Sequence, residues 1–279
     1  MSAETANSPG LSNLLYSIIV GLVQGVSEWL PISSKTQVLF VSTILFGIPL
    51  DAAYAFGLFM EVGSFFSATF YFRKEILSLF RNRKLLVYLL VVTMVTGIEG
   101  VPLYLVSDQL LKGAYNLGLP MMLLGSFLIA DGIYIRYSKR RSRTGTLEEM
   151  SLKQYVLVGL AQGFAALPGV SRSGMTVSTL LFMGVDPKEA FRLSYLAYIP
   201  AAIGGILTTI LFSRSELTTA FSFFDSTTIS ASIVTAALVG IVAISALLRF
   251  ARRNDVWKVT LILGALAFAI GVLAAIGSI

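Results

Sequence analysis

The chain has 279 residues, of which 56% are hydrophobic and 13% charged, and its mean hydropathy of +0.81 marks an integral membrane protein rather than a soluble domain. Cysteine and histidine are both absent, which excludes disulfides, zinc sites, Ser-His-Asp triads and phosphohistidine chemistry. The formal charge of +6 sits in loops beside apolar runs, the pattern of membrane topology rather than of nucleic-acid binding.

In chain order, residues 1–10 lack the basic n-region of a cleaved signal peptide and are expected to remain in the protein. Next come two apolar pieces, about 12–30 and 36–46, separated by a Leu30-Pro31 break. Three longer runs follow, roughly 53–72, 85–106 and 118–137. A basic stretch about 139–152 leads to a second broken segment, about 153–167 and 174–185, and then to runs 190–213, 228–250 and 258–278. The six long runs meet the requirement of about 20 apolar residues for a membrane-spanning helix. They far exceed the roughly 10-residue alternating segments of an outer-membrane barrel. A piece of some 13 residues rises about 20 Å, against a hydrocarbon core of about 30 Å, so each broken segment is expected to be a re-entrant hairpin buried in protein or lining a cavity.

The two broken segments are near-copies. Val20 to Lys35 reads VGLVQGVSEWLPISSK and Val158 to Ser173 reads VGLAQGFAALPGVSRS, each with a Leu-Pro break and then a serine followed by a base. Loops Arg73–Lys84, Arg136–Lys153 and Arg249–Lys258 are basic and belong in the cytoplasm, whereas those near Ser107–Leu117 and Ser213–Thr227 fall outside. Counting spans then makes the first hairpin enter from outside and the second from inside, so the repeat is inverted. The expected fold is a single all-α transmembrane domain over 1–279. It comprises six spans and two hairpins in two inverted-topology repeats, about 11–138 and 153–279, joined by a cytoplasmic linker, with both termini outside.

Chemistry concentrates at the hairpin tips. Gln24 and Glu28 share a helix face, and Gly21 and Gly25 repeat that spacing, a surface for close helix approach. A carboxylate at membrane depth costs about 2.5–3.5 kcal/mol on insertion scales and marks function by default; the bland reading is a water-exposed helix end. Ser33 and Ser34 stand where the next helix needs an N-cap. In the second copy, Ser171-Arg172-Ser173-Gly174-Met175-Thr176 opens a helix after Pro168-Gly169. Free amides, hydroxyls and a guanidinium there compose an anion cradle. The structural alternative is an Arg172–Glu28 pair with serines acting as caps.

These residues resemble the integral-membrane undecaprenyl-diphosphate phosphatases linked to bacitracin resistance. That family carries a [Glu/Gln]-x-x-x-Glu motif leading into Pro-x-Ser-Ser, matched here by Gln24, Glu28, Pro31, Ser33 and Ser34, and a Pro-Gly-x-Ser-Arg-Ser-x-x-Thr motif, matched from Pro168 to Thr176 without a gap. The resemblance covers nearly the whole chain. It implies hydrolysis of a long-chain polyprenyl diphosphate to the monophosphate and inorganic phosphate, recycling a lipid carrier for cell-envelope glycan synthesis. It also implies an active site open to the outer face of the plasma membrane, with the membrane lipid as partner and a homodimer among the expected assemblies. Carried over by position, Glu28, Ser34, Ser171, Arg172 and Thr176 occupy functional positions, with Gln24 in the variable first place. Together with the reading of the two turns this makes Glu28, Ser34 and Arg172 the expected catalytic residues, and Gln24, Ser33, Lys35, Gln162, Ser171, Ser173, Gly174 and Thr176 the expected substrate-binding ones. The family's first turn commonly runs Ser-Ser-Thr-Gly-His, where this chain has Ser33-Ser34-Lys35-Thr36-Gln37. With no histidine available, catalysis falls to Ser34 or to a water activated by Glu28, and Lys35 is either a supplied positive charge or a snorkelling side chain.

A cofactor, if present, would be a hard divalent cation, Mg²⁺ or Ca²⁺, on oxygen ligands, with Glu28 and the intramembrane Glu61 as expected ligands. Glu61 alternatively partners Lys35 or Arg172. Glu99 and Asp131 lie nearer span ends and are expected at the interface. Transport of a polyprenyl phosphate on the same inverted architecture is the competing function, and a purely structural membrane protein leaves the buried charges unexplained.

Overall fold

The computed structural model of the chain describes residues 9–112, 118–138, 144–167, 169–250 and 256–276. Its first half contains α1 (Pro9–Ser27), α2 (Ser34–Phe40) with a π-helical extension Val41–Leu45, α3 (Leu50–Phe59), α4 (Glu61–Tyr71), α5 (Arg73–Ser78), α6 (Arg83–Lys112) and α7 (Gly118–Ser138). The second half contains α8 (Leu152–Gly163), α9 (Arg172–Phe182), α10 (Pro187–Phe212), α11 (Arg214–Ser222), α12 (Ser226–Phe250) and α13 (Val256–Ala275). Among the described residues the β structure is confined to an isolated bridge between Gly145 and Val185.

Among the described residues three helices are long and apolar enough to cross a membrane: Arg83–Ser107 in α6, Pro187–Phe212 as α10 and Ser226–Arg249 in α12. Shorter apolar stretches run Asn13–Ser27, Met121–Tyr134 and Leu261–Ala275. Large apolar side chains one helical turn apart, Leu14, Ile18 and Leu22 on α1 and Val234, Leu238 and Val242 on α12, are exposed. A helix apolar on its outer face as well as its inner one belongs in lipid. The chain is an all-α membrane protein.

Three local features depart from the sequence pattern. The run 53–72 is two helices, α3 and α4, meeting at Met60, where the Gly63 amide bonds back to the Met60 carbonyl at 3.1 Å. That break puts Glu61 in the first turn of α4, where the helix dipole favours an acid. The first arms of the two broken segments are unequal, and the leading one exceeds a piece of some 13 residues: the 19 residues of α1 rise about 28 Å, while the 12 of α8 rise about 18 Å. Within the segment 213–227, expected as a loop, lies the short helix α11. Pro168 and parts of the loops near 107–117, 136–153 and 249–258 lie outside the described residues, as do residues 1–8.

Packing crosses between the halves. Helix α1 lies on α12, α8 on α6, α7 on α13, α4 on both α10 and α12, and α10 on α6. The repeated Val-Gly-Leu-x-Gln-Gly supplies the contact faces. A Cβ on Gly21 would stand 2.5 Å from the Thr235 Cβ, and one on Gly159 would stand 2.7 Å from the Val95 Cβ. Absence of a side chain lets the backbones approach, the usual device for helix association in lipid. At the second break Gly169 adopts φ +89°, a conformation that L side chains resist, with the Leu124 carbonyl 2.7 Å from where a Cβ would sit.

Candidate active site

Each tip is shaped by local chemistry. Glu28 continues the α1 pattern, its amide bonding to the Gln24 carbonyl at 3.1 Å, before Pro31 turns the chain. Ser33 stands at the N-cap of α2 but makes no side-chain cap bond; its Oγ accepts from Thr36 at 3.0 Å. Ser34, the first helical residue, turns its hydroxyl back and donates to Glu28 Oε2 at 2.6 Å. In the second tip Ser171 caps α9, its Oγ accepting from the Gly174 amide at 3.1 Å.

The tips touch. Ser173 Oγ donates to the Leu30 carbonyl at 2.6 Å and Tyr195 donates to the Trp29 carbonyl at 2.6 Å. Across this seam Arg172 and Glu28 form a buried ion pair of 3.0 Å. The other carboxylate oxygen of Glu28 takes Ser34 and, at 3.0 Å, the Gln24 amide. The guanidinium also donates to the Ser194 carbonyl at 3.2 Å and lies 4.3 Å from the centroid of the Tyr198 ring, a cation–π contact. Lys35 reaches the other way, to the Ala165 carbonyl at 3.2 Å and to Glu61 at 3.5 Å.

Two cavities meet at these charges. A pocket of about 10 Å³ is lined by Glu28, Ser33, Ser34, Lys35, Ser171 and Arg172 together with Ile32 and Val170. A larger one of about 170 Å³ runs between α6 and α10, its walls including Glu61, Gln162, Tyr198, Gly97 and Gly204. Lys35 and Arg172 border both.

Ser173, Gly174 and Thr176, expected in the anion cradle, line neither cavity. Thr176 is fully buried and bonded to the Arg172 carbonyl and Ser194, so its hydroxyl braces the turn from behind. Gln162 donates to Thr96 at 3.2 Å and reaches the larger cavity alone. Asp131 is buried, not interfacial: its carboxylate abuts Gly174. Trp29, Ser194, Tyr195 and Tyr198 surround Arg172 without any signal in the motif spacing, because apolar and aromatic residues within a span read as bundle core.

The donor set fits a resident divalent cation poorly. Both expected ligands already have a fixed cationic partner, Glu28 in Arg172 and Glu61 in Lys35. Among the described residues no group of three acidic, cysteine or histidine side chains converges.

The family described as Bacitracin resistance protein BacA matches residues 17–271. An undecaprenyl-diphosphatase of Sulfurisphaera tokodaii is 55% identical over 94% of this chain and 98% of its own. One of Saccharolobus islandicus is 52% identical over 95% and 99%, and one of Pyrobaculum islandicum 38% identical over 93% and 97%.

Proposed function

The chain belongs to the bacitracin resistance protein BacA family, and on that premise we propose that it is an undecaprenyl-diphosphate phosphatase. It cleaves a long-chain polyprenyl diphosphate to the monophosphate and inorganic phosphate, using Glu28, Ser34 and Arg172. The observation that carries the reading is the Ser34 hydroxyl bonded to Glu28 at 2.6 Å with Arg172 paired to the same carboxylate. A nucleophile, its base and an anion-binding fork stand at one seam.

The pocket of about 10 Å³ holds roughly one water, so a phosphoryl group enters by drawing Arg172 off Glu28. That exchange binds the diphosphate to the guanidinium and frees the carboxylate. Glu28 then takes the Ser34 proton as Oγ attacks the terminal phosphorus and the bond to the bridging oxygen breaks, releasing the lipid monophosphate. Water attacks the phosphoserine, its proton leaves with inorganic phosphate, and Glu28 returns the first proton to Ser34. Phosphoryl transfer draws mainly on such positioning and charge neutralisation. Ser33, Ser171 and Lys35 border the phosphoryl pocket, and the larger cavity between α6 and α10 takes the first isoprene units.

The inverted-repeat reading, with six spans and two re-entrant hairpins, is supported by the helix pairings. Exchanging the two halves maps α1 on α12 to α8 on α6 and α4 on α12 to α10 on α6, and leaves α7 on α13 unchanged. The basic loops then face the cytoplasm, the termini lie outside and the site opens to the outer face. Phosphate release from farnesyl and longer polyprenyl diphosphates by purified protein tests the assignment. Release is expected, and zero release under every condition, with lipid movement in liposomes, overturns it.

A further inference from the structure

Lys35 and Arg172 are counterparts in the internal repeat. Each stands four residues after the proline of its hairpin, directly after a serine, in Pro31-Ile32-Ser33-Ser34-Lys35 and Pro168-Gly169-Val170-Ser171-Arg172. Their partners are counterparts too: Glu61 follows Lys35 at the same distance along the chain as Tyr198 follows Arg172. Arg172 lies 4.3 Å from the Tyr198 ring, Lys35 lies 3.5 Å from Glu61, and the Tyr198 hydroxyl donates to the Glu61 carbonyl at 3.1 Å. Each cation also reaches into the opposite hairpin, Arg172 to Glu28 and Lys35 to the Ala165 carbonyl.

A lysine resting on the membrane surface would extend its ammonium to water. This side chain is 15% exposed and its Glu61 partner 9%, and it borders both cavities. The four charges Glu28, Glu61, Lys35 and Arg172 sum to zero. An incoming diphosphate needs positive charge beyond one guanidinium, and a magnesium ion would supply it through one or two carboxylates together with phosphate oxygens. Here each carboxylate is already matched by a fixed cation, and Gln24 turns an amide N–H, not a carboxylate, toward Glu28.

We propose that the Lys35 ammonium, held by Glu61, is the site's second fixed cation, standing where diphosphate chemistry would otherwise call for a divalent metal ion, so that this chain binds and cleaves its substrate without one. On diphosphate entry Lys35 leaves Glu61 as Arg172 leaves Glu28, and the two cations clamp the diphosphate from opposite hairpins. Glu61 is a positioning residue that keeps the ammonium at the neck between the cavities.

The inference rests on the diphosphatase reading, and one experiment separates them. Binding of a farnesyl methylenediphosphonate analogue and phosphate release from farnesyl diphosphate are measured on the full chain, in EDTA and in Mg²⁺ or Ca²⁺. Wild-type binding and turnover in EDTA are expected within about threefold of their values with metal. Lys35→Thr is expected to weaken analogue binding in EDTA about tenfold or more, with added Mg²⁺ restoring it, and Lys35→Arg to remain metal-independent. Wild-type binding that collapses in EDTA and returns with Mg²⁺ overturns the inference, even if Lys35→Thr fails to fold. So does a folded Lys35→Thr that binds in EDTA as well as wild type. Metal-independent binding without phosphate release supports the inference and overturns hydrolysis alone; release that requires Mg²⁺ does the reverse.

Discussion

Glu28 holds Arg172 through one oxygen and Ser34 through the other, so a single carboxylate both stores the anion-binding group and primes the nucleophile. Removing one member of a buried pair leaves an uncompensated charge and costs about 3–5 kcal/mol, which makes truncation at Arg172 a poor test of chemistry. Glu28→Gln also leaves Arg172 uncompensated, but it keeps the side chain's shape and one oxygen acceptor. It is expected to lower phosphate release by about 10²- to 10⁴-fold, the usual worth of a general base, with the folded fraction followed by size-exclusion profile. Acid quench of turnover on substrate labelled in the terminal phosphate should leave label on the protein, and Ser34→Ala should abolish it. Gly174 makes a different demand, because the Asp131 carboxylate occupies the space a side chain would fill. Gly174→Ala should displace the Ser171-Arg172 turn and reduce both thermal stability and turnover, whereas Ala at Gly204, where an added Cβ meets nothing, should change neither.

The helices show what sequence could and could not reveal. The near-copies around Gln24 and Gln162 were legible because polar residues and prolines interrupt apolar runs, and lipid makes such interruptions expensive. The Glu28–Arg172 contact was legible as an alternative, since a buried arginine needs an acid or an anion. Which hydroxyls face the pocket was not: Ser34 opens α2 and Thr176 is the fifth residue of α9, and only tertiary placement turns Ser34 to Glu28 and Thr176 to Ser194. Nor does an apolar run show a break like that at Met60, because the glycines beside it, Gly57 and Gly63, are no more disruptive than Gly97 and Gly100, which lie within the unbroken α6. The crossing of α1 onto α12 and α8 onto α6 was also hidden, although its glycines were visible. Gly21→Leu and Gly159→Leu should each cost about 1–3 kcal/mol by forcing paired helices apart, read as a lower midpoint of thermal unfolding in detergent. Equal stability in either variant would contradict the close packing.

At the scale of the whole molecule, two halves that exchange their packing leave a seam near which unlike residues from each side complete one another. The inverted arrangement proposed for them predicts accessibility. The chain has no cysteine, so single introduced cysteines report cleanly. A membrane-impermeant maleimide should label Ser222→Cys on intact cells and spare Lys74→Cys until the membrane is opened. The cavity between α6 and α10 borders the charged neck and is walled by Gly97 and Gly204, positions with open space around them. Gly204→Leu should therefore raise KM for farnesyl diphosphate while leaving the fold intact. The central claim is that the acid of one hairpin and the serine beside it form the phosphoryl-transfer centre. The most direct measurement is phosphate release from farnesyl diphosphate by wild type, Glu28→Gln and Ser34→Ala, each verified as folded. Wild-type release with both variants reduced at least about a hundredfold is the predicted result; either variant turning over at the wild-type rate would contradict it.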